Sequence, residues 1–350
     1  MSCATENLYA VVMAGGRGER FWPAGRSDCP KQLLKLYNDH TMIEESVQRL
    51  FPLVKPENIL VITNVKYLRQ MRNLLPLPPE NIIGEPEGRD TAPCIALAAA
   101  LVGRRNPHAT MIMLPADHMI RPVKLFHETL LHAVEQAQTG ALVTIGITPT
   151  SPATGYGYIH MGKRINEYCC RVESFKEKPD PATAQEFFAD GNYRWNGGIF
   201  VWQQQTIRRA FRKFVPAMAD KLANWQAGGD YTADFAQCEK ISIDYAIMEK
   251  ADHVLVVDAL FQWNDIGSWN ALRSVLPQDN SGNVMRGRVV AMDSNNNILL
   301  SDDETLLGVI GMHDCAIVKS GNGILVCPLS EEQRVKELVK VFHQDHTDFI

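Results

Sequence analysis

Chemistry on a polyphosphate needs close backbone N–H groups, a few placed cations and one or two carboxylates, and this sequence holds all three. Ala14-Gly15-Gly16-Arg17-Gly18-Glu19-Arg20 follows an apolar run, and its glycines allow the backbone to approach a phosphate and aim N–H groups at it. Two familiar loops do not match. A dinucleotide fingerprint needs a third glycine where Phe21 stands, and a Walker A loop needs glycine at Pro30, ahead of Lys31-Gln32. What remains is a Gly-rich turn carrying Arg17, with Pro30-Lys31-Gln32 a short way on. Two cations beside such a cradle suit a triphosphate whose leaving pyrophosphate gathers charge. An ordinary βα turn with solvated Arg and Lys fits the loop taken alone.

Carboxylates stand at two distant places. Asp117, in Leu114-Pro-Ala-Asp-His118, falls just past a buried-strand pattern, where open parallel sheets collect ligands. It can hold a hard divalent cation against phosphate oxygens, and Asp265, in Phe261-Gln-Trp-Asn-Asp-Ile-Gly-Ser-Trp269, is the candidate second ligand. Helix or turn capping is the competing reading for both, with a helix starting near Ser268. His118 is expected to make a structural hydrogen bond. Glu85-Pro-Glu-Gly-Arg89-Asp90-Thr91-Ala-Pro93 reads as a turn ending in an N-cap before an Ala-rich helix. Gly155 and Gly157, Glu177-Lys178 before Pro179, and Asn196 within Trp195-Asn-Gly-Gly-Ile-Phe200 offer exposed backbone, an acid and a cation, and an amide. Each of these three also fits a plain turn, a solvated charge run or the start of a strand.

These residues need a scaffold, and its pattern is α/β. Leu8–Met13, Asn58–Thr63 and Met111–Leu114 read as buried strands; Met42–Phe51, Ala92–Val102 and Leu125–Gln138 read as helices, the last stopped by Gly140. Such alternation implies a doubly wound, mostly parallel sheet covered on both faces. Strands at Ala141–Gly146, Tyr158–Met161, Arg171–Phe175 and Gly198–Trp202 then mix with helices near Pro181–Ala189 and Thr206–Phe214. The polar stretch Pro277–Gly282 is the expected boundary, giving a domain over 1–277 and a small β-rich unit over 278–350, where Asn283–Cys327 reads as short β-like runs broken by turn-marking Asn, Asp and Gly pairs. A closing helix is expected, with Ser330 and Gln333 as a capping box and Val335, Leu338, Val339 and Phe342 on one face.

Composition narrows the partners. At 350 residues and 45% hydrophobic the chain can bury a full core, and a net charge of −5 argues against nucleic acid held by bulk electrostatics. No apolar run reaches membrane-spanning length, and the start lacks a signal-peptide pattern. Eight cysteines without CxxC or Cys/His ligand spacing suit packed thiols in a reducing cytoplasm.

The run Val11-Val-Met-Ala-Gly-Gly-Arg-Gly-Glu-Arg-Phe-Trp-Pro-Ala-Gly-Arg-Ser-Asp-Cys-Pro-Lys-Gln32 resembles the signature of sugar-nucleotide pyrophosphorylases, in the mannose-1-phosphate guanylyltransferase branch. Leu114-Pro-Ala-Asp-His118 and Trp263-Asn-Asp-Ile-Gly-Ser-Trp269 are similar to that family's two metal motifs, and Asp90-Thr-Ala-Pro93 to its guanine segment. The resemblance implies a nucleotide-diphospho-sugar transferase fold with a β-helix-like C-terminal part. It also implies Mg2+ or Mn2+ on Asp117 and Asp265, and Arg17 and Lys31 on the nucleotide phosphates. Ala14, Gly15, Gly16, Gly18, Glu85, Arg89, Asp90 and Thr91 would line the nucleotide, and Gly157, Glu177, Lys178 and Asn196 the sugar phosphate. GTP and mannose 1-phosphate are the implied substrates, with transfer to another sugar 1-phosphate such as a manno-heptose, or a silent regulatory homologue, as alternatives. A homodimer is the expected assembly. Three departures stand out: Gly25 where the family has Ser, Asp90 where it has Asn, and Gly197 where it has Ser.

Overall fold

The structure is a computed structural model that describes residues 7–16, 18–346 and 349. Its chain forms two compact units. The first takes in the described part of Met1–Gly15 with Ser46–Ala116 and Ile120–Trp263; the second takes in Gly16–Glu45, Asp117–Met119 and the described part of Asn264–Ile350.

The first unit is built on nine strands: β1 (Leu8–Ala14), β2 (Ile59–Asn64), β3 (Ile82–Glu85), β4 (Thr110–Pro115), β6 (Leu142–Ile147), β7 (Tyr158–Asn166), β8 (Cys169–Lys176), β9 (Tyr193–Gln203) and β10 (Val254–Asp258). Short strands β5 (Met119–Arg121) and β11 (Gln262–Asn264) fall in sequence where the chain passes from one unit to the other. The sheet order is β3-β2-β1-β4-β9-β6-β10-β8-β7. The β1–β2, β1–β4, β2–β3 and β6–β10 pairs are parallel, whereas β9 opposes β4, β6 and β7, and β8 opposes β10 and β7. All strands but β8 and β9 therefore point the same way. The unbroken apolar runs of β1, β4 and β6 follow from cover on both faces, since a one-sided sheet would show alternation.

Helices α2 (Leu68–Leu74), α3 (Thr91–Arg105), α4 (Val123–Ala137), α5 (Pro181–Asp190), α6 (Gln204–Phe214), α7 (Pro216–Gln226) and α8 (Tyr231–Phe235) belong to this unit, and α1 (Met42–Gln48) spans the change of unit in sequence. Helix α3 is buried along most of its length because its alanines let neighbours approach closely. Its larger residues Ile95, Leu97 and Val102 are wholly buried and worth about 2 kcal/mol each. The periodic stretches found their elements within a few residues. The short α2 and β3 fell between turn signals and were not expected.

The second unit stacks a β-rich coil on the loop that follows β1. Strands β12 (Val284–Arg286), β14 (Ile298–Ser301), β16 (Cys315–Ser320) and β17 (Gly323–Pro328) form one sheet, parallel except for the β16–β17 pair; β13 (Val289–Met292) and β15 (Leu307–Ile310) form another. Its core joins Phe21, Trp22 and Leu34 to Ile298, Val318 and Leu325. The asparagines that read as turn markers are partly internal. Asn283 and Asn297 are buried, and the Asn297 amide donates to Asn283 Oδ1 and to the next coil's Met312 carbonyl, at 3.0 and 2.8 Å.

The closing helix differs from expectation. A 3-10 turn covers Leu329–Arg334 and α9 runs over Val335–Asp345 without a side-chain cap, so Ser330 and Gln333 form no capping box. Val335 and Val339 are buried and Phe342 packs on Trp22, but Leu338 is 38% exposed, since a residue three along from Val335 lies at the edge of the stripe.

Candidate active site

Within the second unit, one turn of loop sets the position of a lysine. Gly18 has φ 72°, and a Cβ there would lie 2.5 Å from the Lys31 backbone nitrogen, so only glycine fits. Gly25 closes the same loop: its N–H donates to the Phe21 carbonyl at 2.7 Å, and a Cβ would lie 2.5 Å from the Gly18 oxygen. This departure from the family pattern removes a side chain for which the loop has no room. Arg26 donates to Pro23 O, Asn322 Oδ1 and Ser320 O, which ties the loop to the β16–β17 turn. Pro30 then starts the 3-10 turn Lys31–Leu33.

Lys31 is brought to both expected carboxylate positions. Its Nζ donates to Asp117 Oδ2 at 2.6 Å and to the Asp265 carbonyl at 2.5 Å. Burial alone would raise the Asp117 pKa, but the Lys31 charge, His118 and hydrogen bonds outweigh it and hold the carboxyl below its ordinary value. Asp265 sits in a constrained turn: Ile266 has φ 42°, its N–H donates to Asn264 Oδ1, and the turn is gripped from α9's side by buried Glu332, which accepts from Ser268 Oγ and Asn270 N at 2.7 Å each. Asn264 and Glu332 thus take up backbone N–H groups on either side of this turn.

Lys31, Asp117 and Asp265 line a cavity of about 410 Å³ together with Gly18, Arg20 and Lys336. Arg20 and Lys336 were not singled out in the sequence, because isolated surface cations carry no pattern. Arg17 lies outside the described residues. A divalent cation fits here. A Cβ at Gly267 would come 3.0 Å from Asp265 Oδ2, so that glycine leaves space beside the carboxylate, and Asp117 is a third exposed. Among the described residues no group of three or more His, Cys, Asp or Glu side chains could hold a metal. Two carboxylates are what a cation already bound to polyphosphate requires. A larger cavity, about 560 Å³, lies at the β3 edge of the first unit between Val65, Leu68, Arg72 and Tyr231. Its walls are largely apolar, it holds none of the expected catalytic residues, and we attach no chemistry to it.

In the first unit, Ala14 ends β1 and its carbonyl accepts from Thr63 Oγ1. Glu85 ends β3 with its carboxyl buried beside Gly15, whose absent Cβ would lie 3.7 Å from Oε2. Burial, partly offset by a hydrogen bond with Cys94, pushes its pKa up to about 7, and Oε1 has no hydrogen-bond partner among the described residues. Arg89 pairs with Glu87 at 2.9 Å. Asp90 is exposed, holds φ 66° and caps α3 by accepting from Thr91 N, so its carboxylate is engaged by the helix it starts.

The residues expected at the sugar also meet in this unit. Lys178 Nζ pairs with Glu177 Oε1 at 2.9 Å, and Lys178 holds φ 45°, a strained backbone for a residue with a side chain. Gly157 makes room: a Cβ there would lie 2.4 Å from Glu177 Oε2, and its carbonyl accepts from Asn196 N. Gly197 is buried against the β6 backbone, with its Cβ position 3.1 Å from Ile145 O, so a serine there would point into the sheet. One further carboxylate stands here. Asp244 Oδ1 accepts from Asn196 Nδ2 at 2.9 Å. Ser242-Ile-Asp-Tyr245 gave no sequence signal beyond a lone acid among apolar neighbours.

Residues 9–282 match the family model described as nucleotidyl transferase, and residues 287–342 the one described as MannoseP isomerase/GMP-like beta-helix domain. The Xanthan biosynthesis protein XanB of Xanthomonas campestris pv. campestris is 37% identical over 343 residues, covering 95% of this chain and 73% of that protein. A mannose-1-phosphate guanylyltransferase of Klebsiella pneumoniae is 37% identical over 355 residues, covering 97% and 74%. A crystal structure from Thermus thermophilus, described as a mannose-1-phosphate geranyltransferase, superposes with a TM-score of 0.90 at 37% identity over 96% of this chain and 99% of that one.

Proposed function

Because the chain belongs to the nucleotidyl transferase family, we propose that it joins GTP to α-D-mannose 1-phosphate, giving GDP-mannose and pyrophosphate. The observation that carries this reading is the meeting of Lys31 with Asp117 and the Asp265 turn in one cavity next to the Gly18 loop. Relatives named mannose-1-phosphate guanylyltransferase support the choice of substrates.

Transferases of this family use a divalent metal. Mg2+ or Mn2+ held by Asp117 and Asp265 would neutralise phosphate charge and fix phosphate geometry. An ionised oxygen of the sugar phosphate forms a bond to the α-phosphorus of GTP, the bond from that phosphorus to the β-phosphate's bridging oxygen breaks, and pyrophosphate leaves with the electron pair. No base is needed, because the attacking phosphate is already deprotonated at neutral pH. Arg17 and Lys31 stabilise the leaving charge, with the N–H groups of Gly15, Gly16 and Gly18 around it. The Glu85 carboxyl, ionised once the base is bound, accepts the N1–H and exocyclic amine of guanine, a pair of donors adenine lacks. Ala14, Arg89, Asp90 and Thr91 frame that nucleotide. Lys178 holds the sugar phosphate, and Gly157, Glu177 and Asn196 orient the pyranose.

The protein acts in the cytoplasm, without nucleic acid or membrane as partner. Support comes from seven free thiols among the described residues, including adjacent Cys169 and Cys170. It assembles as a homodimer. The outward face of β13 and β15, where Val290, Met292 and Ile310 are 53%, 57% and 71% exposed, favours a second copy there. The functional boundary falls at residue 277, between 1–277 and 278–350. Pyrophosphate release measured across a matrix of NTPs and sugar 1-phosphates tests the activity. Faster turnover of UTP or dTTP with glucose 1-phosphate, by about tenfold, would refute the substrate assignment.

A further inference from the structure

Asp244 has no task in the reaction as written, yet its surroundings are built around it. It opens the π-helical turn Asp244–Met248, a geometry concentrated at functional positions. The segment before it is pinned to the start of α3: Ala92 N donates to Ile241 O at 3.1 Å, and Ile243 N donates to Thr91 Oγ1 at 2.8 Å. From that anchored position Asp244 Oδ1 accepts from Asn196 Nδ2. On the other side of the amide, Asn196 Oδ1 accepts from Thr144 Oγ1 at 3.1 Å and Gly198 N at 3.2 Å. A backbone N–H can only donate and a carboxylate oxygen here accepts, so the amide has one orientation. Its oxygen is fully engaged. Of its two N–H groups one goes to Asp244, and the other has no partner among the described residues.

We propose that Asp244 is a positioning residue for sugar recognition: it locks the Asn196 amide so that the remaining N–H meets a pyranose hydroxyl, and it stands beside Glu177 as the second carboxyl group of that pocket. This rests on reading the pocket as the sugar 1-phosphate site. The groups facing Asp244 are Glu177 and Lys178 from the loop after β8, Asn196 from β9, and Ser242 from its own segment, with Tyr245 close to the same lysine. Burial first, and the Glu177 charge second, push the Asp244 pKa up to about 7. A proton on Oδ2 leaves Oδ1 free to keep accepting from Asn196. An incoming sugar phosphate adds negative charge next to two carboxyl groups, so it binds best when Asp244 carries its proton. Affinity for the sugar phosphate therefore falls as pH rises through about 7.

The test is steady-state kinetics with Asp244→Ala and Asp244→Asn at pH 6 and 8, using the NTP and sugar 1-phosphate that the wild type turns over fastest, with thermal melts of each variant. Asp244→Ala should raise KM for the sugar phosphate roughly ten- to a hundredfold while KM for the NTP stays within about twofold. Asp244→Asn keeps an acceptor for Asn196 and loses the charge. Its sugar-phosphate KM should match wild type at pH 6 and be lower at pH 8, by a ratio approaching about tenfold. Taking the ratio at each pH cancels the ionisation of the phosphate itself. Unchanged KM in a folded Asp244→Ala, equal rises for both substrates, or an Asp244→Asn that follows Asp244→Ala at both pH values would each overturn the proposal. A wild type that accepts no sugar 1-phosphate would instead overturn the reading of the pocket.

Discussion

Replacing Glu85 by glutamine should stabilise the protein at alkaline pH and weaken its hold on GTP. The side chain is 4% exposed, and burial raises its pKa from 4.5 to about 7. A carboxyl whose folded pKa lies above its unfolded value keeps its full stability at acid pH and loses it as pH rises between the two values. A shift of this size corresponds to about 3 kcal/mol, nearly all of it lost by pH 8 and a minor part already lost at pH 5. Glutamine is neutral throughout, so the melting temperature of Glu85→Gln minus that of wild type should grow between pH 5 and pH 8. About 2–3 kcal/mol corresponds to roughly 5–10 °C for a unit of this size. Asp244 titrates in the same direction in both proteins and cancels in the difference. The kinetic counterpart is a rise in KM for GTP of roughly ten- to a hundredfold, as one of two accepted guanine N–H groups loses its acceptor. Wild type should likewise prefer GTP to ITP, which lacks the exocyclic amine, and the variant should lose that preference. A melting difference that is flat with pH would show that the buried carboxyl is not neutral. An unchanged GTP/ITP ratio would remove Glu85 from base recognition.

Asp117→Asn and Asp265→Asn should each lower kcat by roughly a hundredfold or more, with losses far from additive in the double variant; near-normal turnover at saturating magnesium would exclude the residue. Gly18→Ala must displace the Lys31 backbone, and should lose about 1–3 kcal/mol in chemical unfolding together with most activity. Lys336→Ala, on the rim of the same cavity, should raise KM for GTP and for pyrophosphate in the reverse reaction by roughly two- to tenfold without moving KM for the sugar phosphate.

The strongest sequence signals came from residues whose neighbours are constrained along with them. Lys31, Asp117 and Asp265 each sit near a glycine, proline or tryptophan that the local backbone needs, so chemistry and geometry left a joint trace. Asp244 left none, because its meaning arises from Asn196, 48 residues earlier in the chain. Asn283 and Asn297 misled in the other direction: asparagine marks turns, and their burial between coils depends on a stacking that no local pattern reports. Ser330 and Gln333 have the spacing of a capping box, but the chain enters a 3-10 turn there and the spacing goes unused. Gly25 and Gly197 looked like lost hydroxyls until the atoms around their absent side chains were known.

The grip on Lys31 also bears on the order in which the protein is made. The lysine and the Asp265 carbonyl that holds it are 234 residues apart, and Phe21 and Trp22 share their core with Val335 and Val339. A chain emerging from the ribosome folds its early segments first. Here residues 16–45 leave the exit tunnel long before the strands they pack on have been translated. The nine-stranded sheet, complete by Asp258, can form while that stretch is still waiting. Translation therefore yields a folded sheet before it yields an assembled phosphate-handling loop, and a nascent chain stalled once residue 260 has cleared the exit tunnel would hold the sheet and be inert.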